Sequence, residues 1–159
     1  MTEIIKQSAR ALLFDSEQRL VLIKRTKPQQ EPYWVTVGGG VETDDVSVEA
    51  ALHREIREEL GGRIDQVRRV LLITDDLPGG IGIQHVFTAR LTSMDLANRT
   101  GTEFNEPGRG TYEVLSVPAT RDALTDLRLL PLQLAEFARA NVHGLLALVN
   151  AENEVDEVP

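Results

Sequence analysis

Three consecutive glycines, Gly38, Gly39 and Gly40, stand between a short apolar run and a stretch of helical periodicity, and nothing else in the chain restricts its fold as much. Residues without a Cβ interrupt regular structure and offer bare backbone to whatever lies opposite. Before them, Tyr33-Trp-Val-Thr-Val37 is an apolar, strand-like run. After them, residues 46–60 follow a helical period. Asp44 or Asp45 is the expected N-cap, and Gly61-Gly62 the stop.

Strand patterns lie on both sides of this helix. Residues 8–14 and 20–24 read as a hairpin around Asp15-Ser-Glu-Gln18. Residues 67–74 and 83–91 read as strands joined near Pro78-Gly79-Gly80, and 112–117 as a last strand after a long polar loop over 92–110. From Ala119 the leucine-rich sequence is helical, in two or three pieces broken near Pro131 and Gly144. This order predicts an α/β sandwich. With no internal repeat and no Gly/Ser/Pro-rich linker, residues 1–150 are expected to form one domain, followed by an acidic tail over 151–159.

Charge excludes some functions. The chain has 159 residues with 25 Asp+Glu against 17 Lys+Arg, a net −8 that disfavours binding a nucleic-acid backbone. It contains no cysteine, which excludes thiolate zinc sites and disulfides and fits a reducing cytoplasm. No apolar run approaches the roughly 20 residues that span a bilayer, so no membrane partner is expected. Half of the net charge lies in the tail, at Glu152, Glu154, Asp156 and Glu157. A second cluster, from Glu42 to Glu59, holds seven carboxylates against Arg54 and Arg57.

That second cluster has a geometry. With Val48 at the origin and about 100° per residue, Leu52, Ile56 and Leu60 fall near 40°, 80° and 120°, with Ala51 near 300°. Glu55 falls near 340° and Glu59 near 20°, inside the same apolar arc, with Glu58 at its edge near 280°. Ionised carboxylates facing a core are costly unless a cation compensates them. Pairing with Arg54 or Arg57, or a rotated helix, would satisfy them structurally. Convergence on a divalent cation would satisfy them functionally. Oxygen-only ligands favour Mg²⁺ or Mn²⁺, and a glycine loop ahead of the helix admits a phosphate.

The segment from Gly38 to Gly61 resembles the Nudix box of the Nudix hydrolases, G-x5-E-x7-R-E-U-x-E-E-x-G-U, with U a bulky aliphatic residue. Arg54-Glu-Ile-Arg-Glu-Glu-Leu-Gly61 fits R-E-U-x-E-E-x-G at every specified position. Elsewhere it departs. Asp45 stands where the box has Glu, and eight residues rather than seven separate it from Arg54. Gly62 takes the last aliphatic position, and Val37 stands where many members have proline. The resemblance implies an α/β/α sandwich with a mixed β-sheet and Mg²⁺- or Mn²⁺-dependent hydrolysis of a nucleoside diphosphate linked to another group. In that role Glu55, Glu58, Glu59 and the Gly38 carbonyl would hold metal, with Arg54 orienting the glutamates. Glu55 or a later carboxylate would act as base, with Glu106 ranked ahead of Glu103 and Glu113.

For a small nucleotide-type substrate, Arg25 and Lys27 are candidate phosphate contacts, and Gly39 and Gly40 offer open backbone. Trp34, beside Tyr33, is a candidate stacking residue, with core packing its alternative. Assembly as a homodimer is left open. Two rivals stand beside the hydrolase. One is a Nudix-like nucleotide sensor or regulator without turnover, against which the full carboxylate set speaks. The other is an isoprenyl diphosphate isomerase, whose chemistry commonly needs the cysteine this chain lacks.

Overall fold

The computed structural model describes residues 2–100, 108 and 110–151. A first strand, β1 (Ile4–Phe14), runs through the middle of the sheet. It is followed by β2 (Leu20–Thr26), β3 (Tyr33–Val35) and β4 (Val37–Gly40). Helix α1 (Val48–Leu60) then leads to the long hairpin β5 (Arg63–Leu77) and β6 (Gly80–Ser93). Strand β7 (Thr111–Val117), a short α2 (Arg121–Thr125) and α3 (Leu132–Asn150) complete the order.

The sheet is mixed. Strand β6 pairs parallel with β1, placing Ala9 beside His85, and antiparallel with β5. Strand β2 meets β1 only at Leu13–Val21 and Phe14–Leu20. Beyond those pairs it leaves β1 and takes β3 on one edge and β7 on the other. The vacated edge of β1 is taken by β4, with Ser8 opposite Gly40 and Arg10 opposite Gly38. The sheet therefore splays at one end, and the splay creates a cleft.

Alternation along the strands divides the core into two layers. Ala9, Ala11, Leu13, Val21 and Ile23 pack under α1, against Leu52, Ile56 and Leu60. Leu12, Phe14, Leu20 and Leu22 turn the other way and pack with α3 residues Leu134, Ala138, Val142 and Leu145. Two helical layers around one sheet make the α/β/α sandwich expected from the sequence. No described helix is long and apolar enough to cross a membrane.

Several local expectations need correction. The glycines do not interrupt the sheet; they are most of β4. Glycine is a poor strand former, but at Gly38 the β1 backbone comes too close for anything larger. Gly38 has φ +145°, and a Cβ there would overlap the Ala9 carbonyl. The helix begins at Val48, with Ser47 rather than Asp44 or Asp45 as N-cap, and Ser47 Oγ accepts from the Ala50 N–H. Asp45 cannot cap because its carboxylate is engaged elsewhere. Gly61 ends α1 in the left-handed conformation, donating to the Arg57 carbonyl. Helix α3 starts after Pro131 as expected but runs through Gly144 without a break. All five strands read from the sequence extend beyond or beside their expected limits, most of all β5 and β6, because a two-stranded ribbon continues past the packed core.

Candidate active site

Helix α1 packs so tightly on the sheet that its apolar arc takes two carboxylates inside with it. Glu55 is 8% exposed and Glu59 5%, while the Glu58 side chain stands more open at the arc's edge. Glu59 Oε1 accepts the Gly38 N–H at 3.1 Å, which ties the helix to β4. Glu55 lies against Gly39, where a Cβ would come within 2.6 Å of its carboxyl carbon. Burial pushes the Glu55 carboxyl above its usual range, and the neighbouring Arg54 only partly opposes this.

Arg54 binds the whole loop-and-helix segment together. Its guanidinium donates to both oxygens of Asp45 at 2.9 Å, to Glu55 Oε1 at 2.9 Å, to Glu58 Oε2 at 3.2 Å and to the Gly40 carbonyl at 2.9 Å. This bidentate pairing holds the Asp45 carboxyl down at about 2, with the Asp45–Glu42 backbone bond adding to the effect. The same carboxylates raise the Arg54 pKa, so its charge is fixed.

The cleft at the splay opens beside Glu59 and Gly38. It encloses about 380 Å³ and is lined by Arg10, Arg25, Tyr33, Thr36 and Tyr112. The register explains the set: Arg25 faces Tyr33 across β3 and Tyr112 across β7, so all three project to the same side. The Arg25 guanidinium stacks 3.6 Å from the centre of the Tyr112 ring, and Lys27 Nζ lies 5.7 Å from that of Tyr33. Arg10 reaches in from β1 and donates to the Thr36 and Gly38 carbonyls at 3.3 and 3.4 Å. Cations and two aromatic rings thus line an opening together with the buried Glu59. Such a site can take an anion with a planar group attached.

The sequence profile of the NUDIX domain matches residues 5–132, four-fifths of the chain. The chain belongs to the Nudix family. A search of curated proteins finds no match. Solved structures share the fold at low identity. The Escherichia coli ORF135 protein superposes with a TM-score of 0.64 at 21% identity, over 94% of this chain and 96% of that one. The MutT protein from Methanosarcina mazei Go1 does so with 0.62 at 17%, over 91% and 97%. A NUDIX hydrolase from Nitrosomonas europaea gives 0.61 at 14%, over 87% and 88%. As a Nudix pyrophosphohydrolase, the protein hydrolyses nucleoside diphosphates linked to another group.

Within this Nudix domain the sequence candidates fall into three sets. Arg54, Glu55, Glu58, Glu59, Gly38, Gly39 and Gly40 come together where α1 meets β4. Arg25 and Lys27 lie at the cleft. Trp34 and Glu113 do neither. Both lie in register with Lys24, on the opposite face from Arg25, and Trp34 packs against the α3 core layer. Glu103 and Glu106 lie outside the described residues. Arg10 and the pairing of Tyr33 with Tyr112 were not singled out by the sequence. An arginine inside the apolar run Ala9-Arg-Ala-Leu-Leu13 was the available signal for Arg10.

Among the described residues no three carboxylates or imidazoles converge as a ready-made metal cage, since Arg54 bridges Glu55 and Glu58. The residues nevertheless fit a hard divalent cation. Every candidate donor is oxygen, and Glu55 carries a charge that Arg54 alone leaves under-compensated. Gly39 also keeps open the space that a Cβ would fill beside that carboxylate.

Proposed function

We propose that this hydrolase works with Mg²⁺ or Mn²⁺ held by Glu55, Glu58 and Glu59 together with the Gly38 carbonyl. When bound, the cation neutralises the diphosphate and makes water a better nucleophile at neutral pH. The observation that carries the reading is the burial of Glu55 and Glu59 on the core face of α1, against a strand of glycines. A helix selected for stability alone would place apolar residues there.

The chain's own groups supply the rest. Arg54 holds Glu55 and Glu58 in place through charge-assisted bonds. Arg10 and Arg25 sit where they can contact phosphate oxygens, and Tyr33 offers a ring face for a base. Glu55, with its affinity for a proton raised by burial, is suited to accept one from the attacking water. Glu106 is the alternative base.

Phosphate release should be measured over nucleoside triphosphates, oxidised nucleotides, nucleotide sugars, ADP-ribose and dinucleoside polyphosphates. Turnover should need Mg²⁺ or Mn²⁺, and Glu58→Gln or Glu59→Gln should lower kcat by about two orders of magnitude or more. Full activity in excess chelator, or in both variants, would overturn the metal assignment. Binding without turnover across the panel would support the non-catalytic sensor instead.

A further inference from the structure

Arg10 lines two openings. On one side is the aromatic cleft with Arg25, Tyr33 and Tyr112. On the other is a second pocket of about 190 Å³ between β1, β5 and β6, lined by Lys6, Ser8, Asp75 and Gln84 and reaching Gly40. The two differ in chemistry. The second pocket has no aromatic ring, and Gln84 Nε2 donates to Asp75 Oδ2 at 3.0 Å, so its wall presents an amide, a carboxylate, a hydroxyl and an ammonium group beside the aliphatic side chains of Leu77 and Ile83. Such a mixed wall suits a ring that carries hydroxyls on an aliphatic C–H frame, and it gives a planar base no aromatic face to stack on. Arg10 itself is half-buried, bonds only to the Thr36 and Gly38 carbonyls, and has no carboxylate partner among the described residues. Its charge is therefore available to a bridging anion.

Building on the proposed hydrolase reading, we propose that Arg10 carries the diphosphate of a two-ended substrate. The nucleoside end lies over Tyr33 in the aromatic cleft, and a sugar-like, hydroxyl-bearing end occupies the Lys6–Gln84 pocket. The substrate class is then a nucleoside diphosphate esterified to a sugar, rather than a nucleoside triphosphate. Hydrolysis adds water across one bridging P–O bond. The water oxygen joins one phosphorus, the bridging oxygen leaves with the other, and the protons go to the products and solvent. The products are a nucleoside monophosphate and a sugar phosphate.

The test compares kcat/KM for nucleoside diphosphate sugars with that for the triphosphate of the same base, in the full chain with Mg²⁺. The sugar derivatives should be preferred about tenfold or more. Gln84→Leu should shrink that preference at least fivefold, mainly through KM for the sugar substrate. Arg10→Ala should lower kcat/KM for both substrates, with partial rescue by Arg10→Lys, and thermal unfolding will identify any variant that fails to fold. Equal use of both substrates, preference for the triphosphate, or an undiminished preference in a folded Gln84→Leu protein would overturn the inference. Turnover of neither would instead remove the hydrolase reading on which it rests.

Discussion

Asp45 replaces the longer acid expected at its position and is separated from Arg54 by one extra residue, yet both its oxygens reach that arginine. The extra length is absorbed before α1 starts at Val48, so the register of Glu55, Glu58 and Glu59 is undisturbed. The pairing has a pH signature. Because the folded carboxyl lies at about 2, below its ordinary 3.8, its contribution to stability is complete above about pH 4 and fades as the pH falls toward 2. Asp45→Asn should therefore flatten the urea midpoint against pH in that window; parallel curves for wild type and variant would refute the link. Gly39 allows a sharper residue-scale test. Its φ is unexceptional, so Gly39→Ala should fold, but the new methyl must displace the Glu55 carboxylate. Activity should fall at least about tenfold while the melting temperature changes little. Gly38→Ala, by contrast, meets the Ala9 carbonyl at φ +145° and should cost stability outright, read as a large drop in the same melt.

At the scale of elements, helical periodicity announced α1 well because one wheel had to reconcile an apolar arc with carboxylates inside it. The structure puts Glu55 and Glu59 in that arc. The cleft was far harder to foresee. Period-two alternation assigns Lys24 and Arg25 to opposite faces, but which face carries the site depends on β2 leaving β1 after two pairs and gaining β3 and β7. Long-range pairing of that kind leaves no local trace, so Trp34 and Tyr33 could not be told apart. Nor does composition reveal that a run of glycines serves as a strand, since the need for it comes from the β1 backbone opposite Gly38 and the Glu55 side chain opposite Gly39. Gly144 misled in the other direction. It lies in the interior of α3, exposed, with nothing near the place of a Cβ and no positive φ. Gly144→Ala should thus stabilise the protein by about 0.5–1 kcal/mol, raising the melting temperature by a few degrees; a decrease would mean that α3 is strained there.

For the molecule as a whole, the question is how a chain of net charge −8 handles an acidic substrate. The answer lies in where the charges sit. Arg10, Arg25 and Lys27 gather at the splayed end of the sheet, and the α1 carboxylates beside them are arranged around Arg54 or, as proposed, a divalent cation. Four further carboxylates follow α3, whose last buried residue is Val149. Ending the chain after Ala151 would remove those four charges without removing any described core contact, leaving a net −4. Such a truncation should leave the melting temperature within about 1–2 °C of the full chain, because no core contact among the described residues is lost with it. Its effect should appear in substrate capture. Less negative charge weakens the long-range repulsion of an anionic substrate, so KM should fall modestly at low ionic strength and converge with the full-length value near 0.15 M salt, where the Debye length is about 8 Å. A large loss of stability would instead place the tail within the folded domain. A KM difference that persists at high salt would mean direct contact with the substrate.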